Sequence, residues 1–217
     1  MKTLYISAGH SPDNVGAVVG GIKEYDLNQK IADARINGVL VPTGTLRSKI
    51  DWVNERATPD DLAIEIHHNT NNYPSKRGVE VYYADDRDKE LAIALDRAVS
   101  NKMGSRLGGT HKLDEYRELG CSDDLGAIVH DSLSAVGSLG WCRQIKCPAV
   151  ILEVGYMTNP SDLDMILSLD TPRIVAEAID SLIKGEDVRT LSQKVIDLQQ
   201  LVGLLLREII RLTGLLK

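Results

Sequence analysis

The sequence predicts an α/β fold: a mostly parallel twisted sheet flanked by helices, followed by a C-terminal coiled-coil-like helix. Three observations predict it. Short β-branched apolar runs alternate with segments whose apolar residues recur every three or four positions over residues 1–184. The 217 residues are 43% hydrophobic, enough for one domain of ordinary size plus an appendage. After residue 187 the alternation stops and a heptad pattern takes over.

Taken in order, strands are expected at 3–7, 38–41, 62–67, 79–83 and 149–154, each a run rich in Ile, Val, Leu or Tyr. Leu27, Ile31 and Ala34 mark a helix between the first two strands, and Leu46, Ile50, Val53 and Ala57 a second. Leu91, Leu95 and Val99 mark a third, and Ile174, Ala178 and Leu182 a later one. Residues 104–147 carry many glycines and little periodicity, and read as loop with one helix over 125–133. Ligands of such sheets gather at the carboxyl ends of the strands.

In the C-terminal segment, Leu191, Val195, Leu198, Val202, Leu205, Ile209, Leu212 and Leu216 are spaced alternately by four and three. One half of that seam is Val, Val, Ile, Leu and the other all Leu, which leans towards a parallel dimer. Leu201, Leu204, Leu206, Ile210 and Leu215 widen the apolar face and favour more neighbours, in a higher oligomer or by docking on the chain's own domain. Two domains are expected: a catalytic domain over 1–184 and an amphipathic oligomerisation helix over 188–217, making the chain a homo-oligomer.

Composition excludes several classes. Phe is absent and aromatics make up 4%, so the core must rest on Ile, Leu, Val and Ala. A net charge of −6 argues against nucleic acid as a partner. No run of 18 uninterrupted apolar residues exists, so no membrane span is expected. A strand follows Met1 and Lys2 at once, without a signal-peptide pattern, so synthesis in the cytoplasm is expected. The odd count of three cysteines does not suggest a disulfide framework, and Cys121, Cys142 and Cys147 read as free thiols. No Gly-x-Ser-x-Gly elbow, His-Glu-x-x-His helix or phosphate-binding Gly-x-x-x-x-Gly-Lys stretch is present. His111 and His130 fall in the weakly patterned region and read as ordinary surface or core residues.

Four residues stand out. His10 follows Ser7-Ala8-Gly9 where a strand runs out; Glu24 opens a helix; His67 lies in Glu65-Ile66-His67-His68-Asn69; Glu153 lies in the apolar run 149–154. Two imidazoles and a carboxylate make a three-ligand zinc site with one position open, and a second carboxylate can move protons. A lone Glu in a buried strand is costly without a partner or a metal. His67 and His68 must point to opposite faces of a strand, with Glu65, His67 and Asn69 sharing one face.

These segments, in this order, resemble the zinc-dependent N-acetylmuramoyl-L-alanine amidases of the Amidase_3 type. The matching stretches are Ser7-Ala8-Gly9-His10, Glu24-Tyr25-Asp26-Leu27, Glu65-Ile66-His67-His68-Asn69 and Glu153-Val154-Gly155-Tyr156-Met157-Thr158-Asn159. Gly78-Val79-Glu80-Val81-Tyr82-Tyr83 is similar to the family's next strand, and the likeness spans residues 1–184. The resemblance implies one zinc ion held by His10, Glu24 and His67, with Glu153 as the catalytic carboxylate and peptidoglycan as substrate. It selects His67 over His68 as the ligand. Glu65 stands where the family usually has serine: a carboxylate there either accepts a hydrogen bond from a ligand imidazole or adds an unwanted negative charge, and Glu65 and Asn69 are the candidates for supporting the ligands from behind. With no signal or wall-binding module recognised, a phage or prophage endolysin acting on the wall after release is the expected role, and a bacterial amidase released on mother-cell lysis fits the same observations. A catalytically silent wall-binding scaffold and a zinc peptidase of other specificity are the alternatives.

Overall fold

A computed structural model describes residues 2–105 and 126–184, together with Val202 and Leu205. The chain divides into two units, 1–186 and 187–217. The heptad helix therefore lies outside the described residues, apart from Val202 and Leu205, which are helical and exposed.

In the first unit the elements run β1 (Leu4–Ala8), β2 (Val18–Val19), β3 (Ile22–Lys23), α1 (Glu24–Asp33), β4 (Val39–Leu40), α2 (Leu46–Asn54), β5 (Leu62–Asn69) and β6 (Val79–Tyr83). They continue as α3 (Asp86–Met103), β7 (Gly126–His130), α4 (Gly140–Gln144), β8 (Ala149–Tyr156), α5 (Pro160–Leu167) and α6 (Thr171–Lys184). Six strands form one sheet in the order β4-β1-β5-β8-β6-β7, and β2 pairs with β3 as a separate hairpin. All neighbours in the sheet are parallel except β6 and β8, so the expected mostly parallel sheet is present.

Strand alternation sorts the side chains into two layers. Tyr5, Ala63, Ala149 and Ile151 face α2 and α4, packing with Ile50, Val53, Trp141 and Ile145. On the other side α1 and α3 cover the sheet, and α6 packs on both of them. Buried Ile, Leu, Val and Ala dominate, as a chain without Phe requires, and the buried Tyr5, Tyr83, Trp141 and Tyr156 are the large aromatic exceptions.

The helix expected over 125–133 is replaced by strand β7 and a single 3-10 turn at Asp131–Leu133. Gly126-Ala127-Ile128-Val129 is too short an apolar run for periodicity to tell strand from helix. Parallel pairing with β6 and cover from α3 decide in favour of the strand. The short helices α4 and α5 were not foreseen. In α5, Asn159 caps the helix by accepting from the Asp162 N–H, and Pro160 occupies its first turn.

Asp162 ties the open end of the sheet together. Its fully buried carboxylate accepts from Gly78 N at 2.7 Å and Tyr156 N at 2.9 Å, joining the approach to β6 to the end of β8. The antiparallel seam between those strands brings Glu80 opposite Glu153.

Candidate metal centre

His10 sits just beyond β1, at the carboxyl end of the sheet. Its backbone is left-handed, φ 66°, the one non-glycine residue with positive φ among the described residues. That conformation is uncommon outside glycine, Asn, Asp and His, and residues held in it against their preference concentrate at functional sites. The turn aims the ring at Glu24. Gly9 is required beside it, because a side chain there would run into the His67 ring.

Glu24 opens α1 directly after the β2–β3 hairpin. It is 4% exposed, and its two oxygens are divided between the histidines. Oε2 lies 3.0 Å from His10 Nε2 and accepts from Ala17 N at 3.0 Å. Oε1 lies 2.8 Å from His67 Nδ1 and accepts from His68 N at 3.3 Å. Gly16, φ 71°, closes over this arrangement; a Cβ there would come within 2.5 Å of Glu24 Oε2. Burial alone would raise the Glu24 carboxyl, but hydrogen bonds from His10, His67 and Ala17 hold it far below the usual carboxylate range.

His67 follows the alternation of β5: Glu65, which meets Lys49 of α2, and His67 face the cavity on the α2 side, and His68 points to α1, where it meets Asn28. Burial would lower the His67 ring, yet Glu24, Glu65 and Glu153 together raise it to about 10. His68 is pushed down to about 3 by burial and stays neutral. Its Nδ1 bonds Asn28 Oδ1 at 2.7 Å, and Asn28 in turn donates to the Gly9 carbonyl at 3.1 Å. The neighbour of His67 thus props the loop that carries His10.

One donor atom each from His10, Glu24 and His67 lies within 4.8 Å of the others. Around a tetrahedral ion with bonds of about 2.0–2.1 Å, ligand atoms sit roughly 3.3 Å apart, so small ring adjustments accommodate zinc. The His67 ring is bracketed by carboxylates, Glu24 Oε1 at 2.8 Å from Nδ1 and Glu65 Oε2 at 3.4 Å from Nε2, an anionic setting that suits a cation. The donor set fits the ion.

Glu153 lies in β8, in register with His67 on one side and Glu80 on the other. Burial pushes its carboxyl up to about 8; the nearby His67 pulls down, while Glu24, Glu80 and Glu65 push further up. Its Oε2 is shut off from solvent and has no hydrogen-bond partner. Glu80, by contrast, is saturated: Lys76 Nζ at 3.3 Å, Asn69 Nδ2 at 3.0 Å and Tyr82 Oη at 3.2 Å. Asn69 therefore reaches Glu80, while Glu65 Oε2 lies 3.4 Å from His67 Nε2. The site opens on a cavity of about 710 Å³ bounded by His10, Asp13, Asn14, Thr43, Thr45, Leu46, Leu139 and Trp141.

Lys49 and Glu80 were not singled out from the sequence. Lys49 follows Leu46 by three and precedes Val53 by four, so it falls on the apolar stripe of α2, and a lysine there was the available signal. Glu80 carried a similar one, a carboxylate inside Val79–Tyr83.

The class these features define is a mixed α/β protein in which two histidines and a carboxylate that could hold a metal ion converge at the carboxyl end of the sheet. The chain belongs to the Amidase_3 family, the N-acetylmuramoyl-L-alanine amidases, whose pattern it matches over residues 4–184. It is 27% identical over 198 residues to the uncharacterized protein YqiI of Bacillus subtilis, covering 86% of this chain and 84% of that one. It is 27% identical over 172 residues to the N-acetylmuramoyl-L-alanine amidase LytC of the same organism, covering 74% of this chain but 30% of LytC. The fold is shared with the catalytic domain of CwlV, an N-acetylmuramoyl-L-alanine amidase from Bacillus (Paenibacillus) polymyxa var. colistinus, at a TM-score of 0.66 and 23% identity. That match covers 87% of this chain and all of the CwlV domain, 100%. The protein is thus a peptidoglycan amidase by family. No helix among the described residues is long and apolar enough to cross a membrane.

Proposed function

We propose that the chain is a zinc-dependent amidase that hydrolyses the amide between the lactyl group of N-acetylmuramic acid and L-alanine. The observation that carries this reading is the convergence of His10, Glu24 and His67 donors within 4.8 Å beside an open cavity. These three residues hold the ion. A zinc ion held there supplies Lewis acidity towards a carbonyl and makes water acidic enough to act at neutral pH. Glu153 takes the proton that water gives up and returns it to the L-alanine nitrogen as the C–N bond breaks. Its unpaired, desolvated oxygen and its raised affinity for a proton suit both halves of that transfer. Glu65 holds the His67 ring from behind, and Asn69 holds Glu80 beside Glu153.

Residues 188–217 join chains through the heptad seam, and the enzyme reaches the wall after release from the cell that makes it, as a phage or prophage endolysin does. The decisive experiment is mass spectrometry of purified muropeptides incubated with the protein, with chelator and with zinc restored. Free stem peptides beginning at L-alanine, lost on chelation and regained with zinc, are the expected products. Intact muropeptides in the presence of bound zinc would move the protein to a wall-binding role. Cleavage at another bond would make it a zinc peptidase.

A further inference from the structure

Lys49 belongs to α2, yet its ammonium ends beneath the metal site. The side chain is 3% exposed, and its Nζ makes three polar contacts. It donates to the Ala8 carbonyl, to the His10 carbonyl at 3.0 Å and to Glu65 Oε1 at 3.2 Å. Glu65 is equally occupied: Oε1 also accepts from Ser7 Oγ at 3.1 Å, and Oε2 faces His67 Nε2. One buried ion pair therefore touches two metal ligands, the first through the main chain of His10 and the second through the ring of His67.

The His10 contact falls where the chain needs an outside hold. A left-handed non-glycine backbone is unfavourable by itself and persists where its surroundings impose it. Lys49 bonds the carbonyls on both sides of Gly9, at Ala8 and at His10, and so spans the turn. Neither charge is tolerable alone at this depth, because removing one partner of a buried pair leaves the other uncompensated.

We propose that Lys49 and Glu65 are a coupled positioning pair for the metal centre: Lys49 clamps the left-handed turn of His10, Glu65 fixes the His67 ring, and each makes the other's burial possible. This rests on the reading of His10, Glu24 and His67 as ligands. A pair that only fastens α2 to the sheet would change folding stability and leave metal affinity of the folded protein untouched. A positioning pair changes both.

The test measures zinc Kd by competition with a chromophoric chelator on the full chain, alongside urea unfolding of the zinc-free protein. Wild type is compared with Lys49→Met, Glu65→Gln, the double variant and Lys49→Arg. Each neutralising variant is expected to raise zinc Kd about 10–100-fold, the range for losing a group that supports a ligand. The double variant should lose less than the product of the two single effects, and Lys49→Arg should recover most of the affinity. Where Lys49→Met does not fold, Glu65→Gln and Lys49→Arg decide the question. A Glu65→Gln protein with wild-type zinc Kd and only a lowered unfolding midpoint overturns the proposal. Single effects that multiply in the double variant overturn the coupling. A wild-type chain that takes up no zinc removes the ligand reading and this inference together; zinc bound normally by every variant removes this inference alone.

Discussion

Replacing Glu153 by Gln separates its chemical role from its structural cost, because the two change in opposite directions. The substitution keeps the shape and removes the ionisable group. Losing a positioned acid–base typically costs 10²–10⁴ in rate, or about 3–5 kcal/mol of barrier. Stability should respond otherwise. In the zinc-free protein the Glu153 carboxyl is pushed from 4.5 up to about 8, chiefly by burial. A raised carboxyl favours the folded state below the unfolded value of 4.5, and that advantage drains away as pH rises towards 8. At about 1.4 kcal/mol per pH unit the full loss is about 5 kcal/mol, with about 3 kcal/mol of it falling between pH 5 and 7.5. A glutamine at this position, which never ionises, escapes the penalty. Urea unfolding of zinc-free wild type and Glu153→Gln should therefore diverge with rising pH, the variant gaining on the order of 3 kcal/mol relative to wild type by pH 7.5. Zinc Kd should stay within a few-fold of wild type, while stem-peptide release from muropeptides falls at least about 100-fold. A flat stability difference across pH 5–7.5 would refute the assignment of a desolvated, unpaired carboxylate. Turnover above a tenth of wild type would refute its role in proton transfer.

Four further outcomes can be checked. Zinc uptake should release protons between pH 7 and 9, because the His67 ring, raised to about 10 by Glu24, Glu65 and Glu153 against the effect of burial, must give up its proton to become a ligand; calorimetry in buffers of different ionisation enthalpy counts them, and its sign requires weaker binding at lower pH. Gly16→Ala forces a side chain onto Glu24 Oε2 at a left-handed position, so zinc Kd should rise at least about tenfold, read by the same chelator competition. Asp162→Ala strands the buried N–H groups of Gly78 and Tyr156, each worth about 1–3 kcal/mol, so urea unfolding should show a loss of about 3–5 kcal/mol. Changing both Val202 and Leu205 to Asp in the full chain should reduce the mass seen by light scattering to that of one chain, 23.8 kDa, with zinc affinity unchanged.

Much of the fold was legible because its signals are local. Alternation in 62–69 placed His67 on one face and His68 on the other, and β5 has that arrangement. The five expected strands are all present, since each carries enough Ile, Val or Leu to declare itself. What failed was decided by partners distant in sequence. Strand β7 is five residues with no period of its own, and becomes a strand because β6 offers an edge. The two-residue strands β2 and β3 exist to turn the chain so that Ala17 caps Glu24, a demand no local composition expresses.

The same distinction runs through the site. Glu24, Glu65, Glu80 and Glu153 gather at one end of the sheet, and their identity as carboxylates was readable from the chain. Their different tasks were not, because a carboxylate's behaviour is set by the cation or donor it meets. Glu24 meets two imidazoles, Glu65 meets Lys49 from α2, and Glu80 meets Lys76, Asn69 and Tyr82. Glu153 alone among the four has a buried oxygen that no donor satisfies. Three carboxylates with fixed partners form a rigid, charge-compensated floor, and the fourth is left with its proton unclaimed. That asymmetry is what an acid–base residue requires.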